Sequence, residues 1–316
     1  MFPMIAVASR SFSKNRILRR ELLERHPDAK FNDTDRVLSG DELAGFLRGH
    51  EKAITGLDVL DDAVFQAVPE LRIVSKYGVG LDMIDLAAAR RHGVVVRWTP
   101  GVNRQSVAEL TIAFMIALCR RLVPLNTDLR RGVWGHGRGA RQISSATIGI
   151  IGCGHVGKTV TRLCRAFGAR VLAYDIVNYS EFYREHGVQA VAFDALLRES
   201  DIVTVHTPLD ATTRGLIDAR AIALMKATSF LINTARGGIV DEAALKSALI
   251  DRRLAGAAAD VFDVEPPVDA ELLQLPTFIG TPHVGGSTDD AVLAMGRAAI
   301  AGLEGGPEAV GAMSNV

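Results

Sequence analysis

Between residues 147 and 157 the chain reads TIGIIGCGHVG, an apolar run, a glycine-rich turn and then a helical pattern. Few folds accommodate Gly152-Cys153-Gly154-His155-Val156-Gly157 between a strand and a helix. The first glycine permits a tight turn, the second lets backbone approach a pyrophosphate, and the third lets helix and strand pack closely. The amides of His155 and Val156 then open a helix whose dipole favours negative charge. A lone turn of this kind is weak evidence. Here the next apolar run, RVLAYD, ends on Asp175. A carboxylate there can accept both hydroxyls of an adenosine ribose and repel a 2′-phosphate, and no arginine follows directly in DIVNYS to offset the repulsion. A dinucleotide site for NAD rather than NADP is predicted. What is oxidised is not specified by such a turn.

The turn begins almost halfway along the 316 residues. Short β-rich runs alternate with helical patterns on both sides of it. Before residue 100 the candidate strands are MIAVAS (4–9), KAITGL (52–57), RIVSKY (72–77) and VVVRW (94–98), separated by helical stretches such as DELAGFLRGH and DDAVFQAV. From residue 147 six more follow: TIGIIG, RVLAYD (170–175), DIVTVHT (201–207), SFLINTA (229–235), AGAAADVF (255–262) and TFIGTP (277–282). Their apolar runs are continuous, which predicts parallel strands covered by helices on both faces, a doubly wound α/β pattern. TPGVNRQ (99–105) breaks the rhythm, and a long helix follows with Ser106 and Glu109 as a capping box. After Gly285-Gly286 one further helix starts at a Ser287 or Thr288 cap. The predicted organisation is a first domain over 1–98, a dinucleotide-binding domain over 99–285, and a C-terminal helix over 286–316.

Lys plus Arg and Asp plus Glu both number 36. That balance argues against a nucleic-acid or membrane-surface partner, which needs a basic excess or stripe. Cys119, Cys153 and Cys164 form no C-x-x-C pair and no disulfide framework, and Cys153 is a small residue filling a tight turn. The opening MFPMIAVASRSFSKNR is apolar first and basic after, the reverse of a signal peptide. VAELTIAFMIALC (107–119) falls short of the roughly 18 residues a membrane span needs. A cytoplasmic setting is expected, and no exposed apolar patch is evident.

Ligands in such sheets bind beyond the carboxyl ends of the strands. Three strand ends carry groups able to do chemistry: Arg236 in NTARGGIVDE, Glu265 in DVFDVEPP and His283 in TPHVGGST. An arginine can clamp a carboxylate with two charge-assisted hydrogen bonds. A histidine can pass the proton that accompanies hydride transfer, and a carboxylate beside it would orient the ring and favour its acid form. Each residue alone has a bland explanation as a surface or loop charge. At consecutive strand ends after a cofactor turn they have much less of one.

SKYGVGLDMIDL, TPGVNRQSVAEL, GVW, TIGIIGCGHVG, HTPLDATTRGLID, INTARGGIVDEAAL, AADVFDVEPP and TPHVGGS occur in this order and spacing. In them the chain resembles the D-isomer-specific 2-hydroxyacid dehydrogenases of the phosphoglycerate dehydrogenase-like branch, from roughly AITGLD to TPHVGGST. The resemblance implies a flavodoxin-like substrate domain, an inserted Rossmann NAD-binding domain, and a catalytic cleft between them. Arg236 would bind the substrate carboxylate, His283 would be the general acid/base, and Glu265 would support His283. Backbone amides of Val79 and Gly80, with Asn103, would complete the carboxylate pocket. Gly152, Gly154, His155, Val156, Gly157, Asp175, Thr207, Pro208, Thr234, Ala235, Asp260 and Gly285 would surround NAD. Members of the family are usually homodimers paired through the cofactor domain.

Two departures weaken an assignment to 3-phosphoglycerate. Phosphoglycerate-specific members often carry an arginine where this chain has Thr55-Gly56, and no C-terminal regulatory domain is expected after Val316. Arg97, Arg104 and Arg138 could substitute as phosphate contacts, although solvated surface charge is the expectation for each. Glu265 points away from formate, whose relatives carry glutamine there. The alternative function is an NAD-sensing, corepressor-like binding protein on the same fold.

Overall fold

The structure is a computed structural model that describes residues 4–309 apart from 136 and 138. Arg138 and the end of the glycine-rich tail therefore lie outside the described residues. The chain divides into two compact units, one formed by residues up to Asn103 with those from Thr288 onward, the other by Arg104–Ser287.

The first unit contains β1 (Ile5–Val7), β2 (Lys30–Phe31), β3 (Lys52–Thr55), β4 (Ile73–Lys76) and β5 (Val95–Arg97). They pair in the order β2-β1-β3-β4-β5, every pairing parallel. That is the flavodoxin-like order. Along β1, Ala6 packs to one side with Ala53 and Val74, while Ile5 and Val7 pack to the other with Ile54. The second side is closed by the helix Asp289–Gly302, through Met295, Ala299 and Ile300. Its glycines set the closeness of that packing: a Cβ on Gly296 would lie 2.2 Å from the Leu18 side chain. Thr288 caps this helix by accepting from the Ala291 N–H.

The second unit contains β6 (Thr147–Ile151), β7 (Arg170–Tyr174), β8 (Gln189–Ala190), β9 (Ile202–Val205), β10 (Phe230–Asn233), β11 (Gly256–Ala259) and β12 (Phe278–Gly280). All are parallel, in the order β12-β11-β10-β9-β6-β7-β8. The order reverses at β6, the switch point of a Rossmann sheet. On β10, Leu231 faces one core while Phe230 and Ile232 face the other, so both faces are buried. Continuous apolar strands follow from that arrangement.

Three local expectations are corrected. Ser106 and Glu109 form no capping box, because the helix already begins at Arg104 (Arg104–Arg120). The Ser106 hydroxyl instead donates to the Gly285 carbonyl at 2.5 Å, and Glu109 accepts from Gln105. Arg97 is not a solvated charge: it pairs with Glu308 at 3.0 Å and donates to the Gly306 carbonyl. An exposed apolar patch is present after all. The helix Leu122–Arg130 has no buried residue, and Leu122, Val123, Leu129, Val133 and Trp134 are exposed, Trp134 by 78%. No described helix is long and apolar enough to cross a membrane.

Candidate active site

Because every strand of the second sheet runs the same way, the turns after β6, β9, β10, β11 and β12 gather at one edge. The turn after β6 meets a separate constraint at each glycine. Gly152 has φ +88°, and a Cβ there would sit 2.8 Å from the His206 carbonyl carbon. At Gly154, the N-cap of the helix His155–Ala166, a Cβ would meet nothing within 4 Å, so this side of the turn stands open. At Gly157 it would fall 2.1 Å from the Gly152 carbonyl oxygen, so only glycine lets helix and turn approach this closely. An open backbone face at a helix N-terminus fits a diphosphate.

Asp175, just beyond β7, accepts the Cys153 N–H on Oδ2 at 2.5 Å and the Val177 N–H on Oδ1 at 2.8 Å. Each oxygen keeps lone-pair capacity for a further donor. Cys153 is buried under the turn, and its thiol is pushed up to about 11 by that burial, so it is an inert filler. After β9, Thr207 packs its methyl against Gly152, and Pro208 follows on the surface.

After β10, Asn233 builds the turn: its Oδ1 accepts the Ala235 N–H at 3.0 Å and its Nδ2 donates to the Arg236 carbonyl at 2.8 Å. Thr234 shares a 2.8 Å hydroxyl contact with Thr111 and is held to the helix Arg104–Arg120. The Arg236 guanidinium donates to the Ala235 carbonyl at 2.8 Å. A Cβ on the next residue, Gly237, would lie 1.9 Å from the Phe262 carbonyl oxygen. Glycine thus lets the Arg236 turn press directly on the backbone that leads to Glu265.

Glu265 and His283 meet. His283 Nδ1 and Glu265 Oε2 are 2.8 Å apart, and Glu265 Oε1 accepts the Phe262 N–H at 3.0 Å. The carboxylate is therefore fixed by backbone on one side and by imidazole on the other. Glu265 precedes Pro266 through a cis peptide bond. No hydrogen bond joins Arg236 to Glu265 or His283 among the described residues.

His283 has φ +53°, a left-handed conformation rare outside glycine. Asp260, only 1% exposed, holds it there. Its Oδ1 accepts from Thr281 Oγ1 (2.5 Å) and the Val284 N–H (2.8 Å), its Oδ2 from the Gly285 N–H (2.7 Å), and its carbonyl from the His283 N–H (2.8 Å). Reading the sequence did not single out Asn233 or Glu242, whose Oε1 accepts the Asp263 N–H at 2.7 Å, and took Ser106 only as a helix cap. Asn233 carried one available signal, an Asn at a strand end, where turns favour it.

Val79, Gly80 and Asn103 belong to the first unit. Val79 and Gly80 are half-buried in the turn after β4, and Asn103 is buried. Among the described residues neither the Val79 nor the Gly80 N–H has a hydrogen-bond partner, and no group of residues could hold a metal ion.

Residues 112–285 match the model of the D-isomer specific 2-hydroxyacid dehydrogenase NAD binding domain. The chain is 42% identical over 231 residues to a D-3-phosphoglycerate dehydrogenase of Bacillus subtilis, covering 73% of this chain and 44% of that one. It is 38% identical over 244 residues to a glyoxylate reductase of Korarchaeum cryptofilum, covering 74% and 72% respectively. The chain thus spans about half the length of the phosphoglycerate dehydrogenases it matches. Among solved structures, D-lactate dehydrogenase from Aquifex aeolicus, complexed with NAD and lactic acid, superposes with a TM-score of 0.83 at 27% identity, covering 95% of this chain and 94% of that one. With a glycine turn at the switch point, a histidine–carboxylate pair at the neighbouring strand ends and these matches, the chain belongs to the D-isomer specific 2-hydroxyacid dehydrogenase family.

Proposed function

We propose that the chain catalyses reversible hydride transfer between NAD(H) and a small D-2-hydroxy/2-oxo acid of the phosphoglycerate, hydroxypyruvate/glyoxylate or lactate type. The observation that carries this reading is the 2.8 Å pair of His283 and Glu265 at the strand edge that also bears the glycine turn. Glu265 accepts from Nδ1 and so fixes the tautomer and orientation of the ring, leaving Nε2 to exchange a proton with the substrate oxygen. Arg236 binds the substrate carboxylate, with the Val79 and Gly80 amides and Asn103. NADH, when bound, supplies the hydride to the carbonyl carbon, and His283 gives the proton that completes the alcohol.

For the cofactor we assign the His155 and Val156 amides to the diphosphate and Asp175 to the adenosine ribose. Thr207-Pro208, Thr234-Ala235, Asp260 and Gly285 border the remainder. Unphosphorylated acids are favoured. Thr55 is wholly buried, and a Cβ on Gly56 would lie 2.6 Å from Ser9 Oγ, so neither position could present an arginine to a phosphate. The apolar face of Leu122–Arg130 with Trp134 supports a homodimer formed through the second unit. The unpaired, buried cysteines fit a reducing, cytoplasmic setting.

Oxidation of NADH against glyoxylate, hydroxypyruvate, pyruvate and 3-phosphohydroxypyruvate tests the reading. Turnover with at least one acid, cut by about 10² or more in kcat/KM in His283→Ala and in Arg236→Ala, is expected. Trace turnover with every acid, or near-normal rates in either purified variant, would refute it.

A further inference from the structure

The turn after β4 is gripped from one side by an aromatic residue that the roles above leave out. Trp98 Nε1 donates to the Val79 carbonyl at 2.8 Å. The donor is itself anchored. The Trp98 N–H bonds the Pro307 carbonyl at 3.2 Å, and the preceding Arg97 is clamped by Glu308 at 3.0 Å. The indole packs against the core of the first unit, as does Leu81, the residue that follows Gly80.

The Val79 carbonyl and the Gly80 N–H are two ends of one peptide group. That group is planar and trans, so the oxygen and the hydrogen point in opposite directions. A bond that fixes the oxygen against the indole therefore fixes where the Gly80 N–H is aimed. Gly78, at φ +119°, takes the chain into this peptide through a conformation that favours glycine. The turn is thus bent at Gly78 and held at the Val79 carbonyl, while the Val79 and Gly80 N–H groups have no partner among the described residues. An acceptor bound at Gly80 also polarises the peptide and strengthens the bond from Trp98, because chained hydrogen bonds reinforce one another.

We propose that Trp98 is a positioning residue for substrate: its indole N–H locks the Val79–Gly80 peptide so that the Gly80 amide is presented to the substrate carboxylate. This rests on the reading that assigns the Val79 and Gly80 amides to that carboxylate.

Trp98→Phe keeps the aromatic body and removes the donor. One hydrogen bond of this kind is worth a factor of about 3 to 10. KM for glyoxylate and Kd for oxamate, a non-reacting carboxylate analogue measured with NADH bound, should both rise by that factor. The kcat and the Kd for NADH should stay within about twofold. A packing role alone would lower thermal stability without separating KM from kcat. The protein has two tryptophans, so its indole N–H spectrum has two signals, assigned with Trp134→Phe. In the wild-type protein with NADH, oxamate should move the Trp98 signal downfield, and this readout holds even where Trp98→Phe does not fold. Wild-type affinity for oxamate in a folded Trp98→Phe variant, or an unmoved Trp98 signal at saturating oxamate, overturns the proposal and leaves the dehydrogenase reading standing. A wild-type protein that neither reduces any 2-oxo acid nor binds oxamate removes that reading, and the role of Trp98 with it.

Discussion

Replacing Asp260 by asparagine should lower the proposed dehydrogenase activity chiefly through the loop that it braces. The wild-type carboxylate accepts three hydrogen bonds from the segment that carries His283: Thr281 Oγ1 and the Val284 N–H on Oδ1, and the Gly285 N–H on Oδ2. An amide has one acceptor oxygen and one donor nitrogen, so no orientation reproduces the pattern. In the better orientation the oxygen keeps Thr281 and Val284, and the new NH2 faces the Gly285 N–H. One charge-assisted bond is lost and a buried donor is left unpaired, at a cost of about 1.5 to 3 kcal/mol. That cost falls on the loop conformation, because Asp260 is buried and its three donors all lie in 281–285. His283 already holds a left-handed φ of +53°, itself worth on the order of 1 kcal/mol of strain, so the loop has an alternative to relax into. At 1.4 kcal/mol per factor of ten, the productive loop population, and kcat/KM with it, should fall about 10- to 100-fold. Steady-state NADH oxidation measures this, with NADH affinity followed separately by fluorescence. Rates within twofold of wild type in a folded Asp260→Asn protein would show that these three bonds do not hold His283 in place.

Two further outcomes follow from the same physics. Gly157→Ala places a Cβ 2.1 Å from the Gly152 carbonyl oxygen, a clash with backbone that only a shift of the helix His155–Ala166 can relieve. It should cost at least about 1 to 3 kcal/mol of stability and weaken NADH binding more than tenfold, read by thermal melting and fluorescence titration; unchanged binding would remove the turn from the cofactor site. His206, whose Nδ1 is sealed from solvent without a hydrogen-bond partner among the described residues, is pushed by burial down to about 3. Below an ordinary histidine pKa of about 6.5 the unfolded chain takes up a proton that the folded one refuses, so stability falls with pH from there towards 3. The loss should reach about 2 kcal/mol between pH 6.5 and 4.5. His206→Gln should lack it, and equal pH slopes in urea unfolding of the two proteins would contradict it.

Much of the fold is legible in the sequence because burial on both faces writes itself as continuous apolar runs. The strands that escape notice are β2 and β8, two residues each at sheet edges, with Gln189 and Ala190 both exposed. An edge pairs on one side only and needs no apolar run. The reactive groups are legible for a different reason. Arg236, Glu265 and His283 are polar residues just beyond the carboxyl ends of buried strands, where ligands of such sheets bind. Their supports are not legible. Ser106 looks like a cap beside Glu109, yet its hydroxyl finds a carbonyl 179 residues away. Trp98 reads as the end of a strand, and only the folded chain puts its N–H on Val79. Such partners are defined by the approach of distant segments, which no local pattern encodes.

The turns of the second unit also explain why the candidate reactive groups sit on this edge and not on the strands. A strand fixes its side chains alternately into two packed cores, as Ile232 and Leu231 show, and leaves no room for a charged group to reach a ligand. Just past the strand the backbone N–H groups lose their ladder partners and must find others. In this protein acidic and amide side chains supply them: Asp175 for Cys153 and Val177, Asn233 for Ala235, Asp260 for Val284 and Gly285, Glu265 for Phe262. The turns are therefore held by carboxylates and an amide. Glu265 shows the economy of this device, since the carboxylate that ties down its own turn through one oxygen orients His283 through the other. A substitution that preserves the charge but shortens the reach, Glu265→Asp, cannot serve both partners at once. The backbone bond and the imidazole bond would then compete for a single carboxylate.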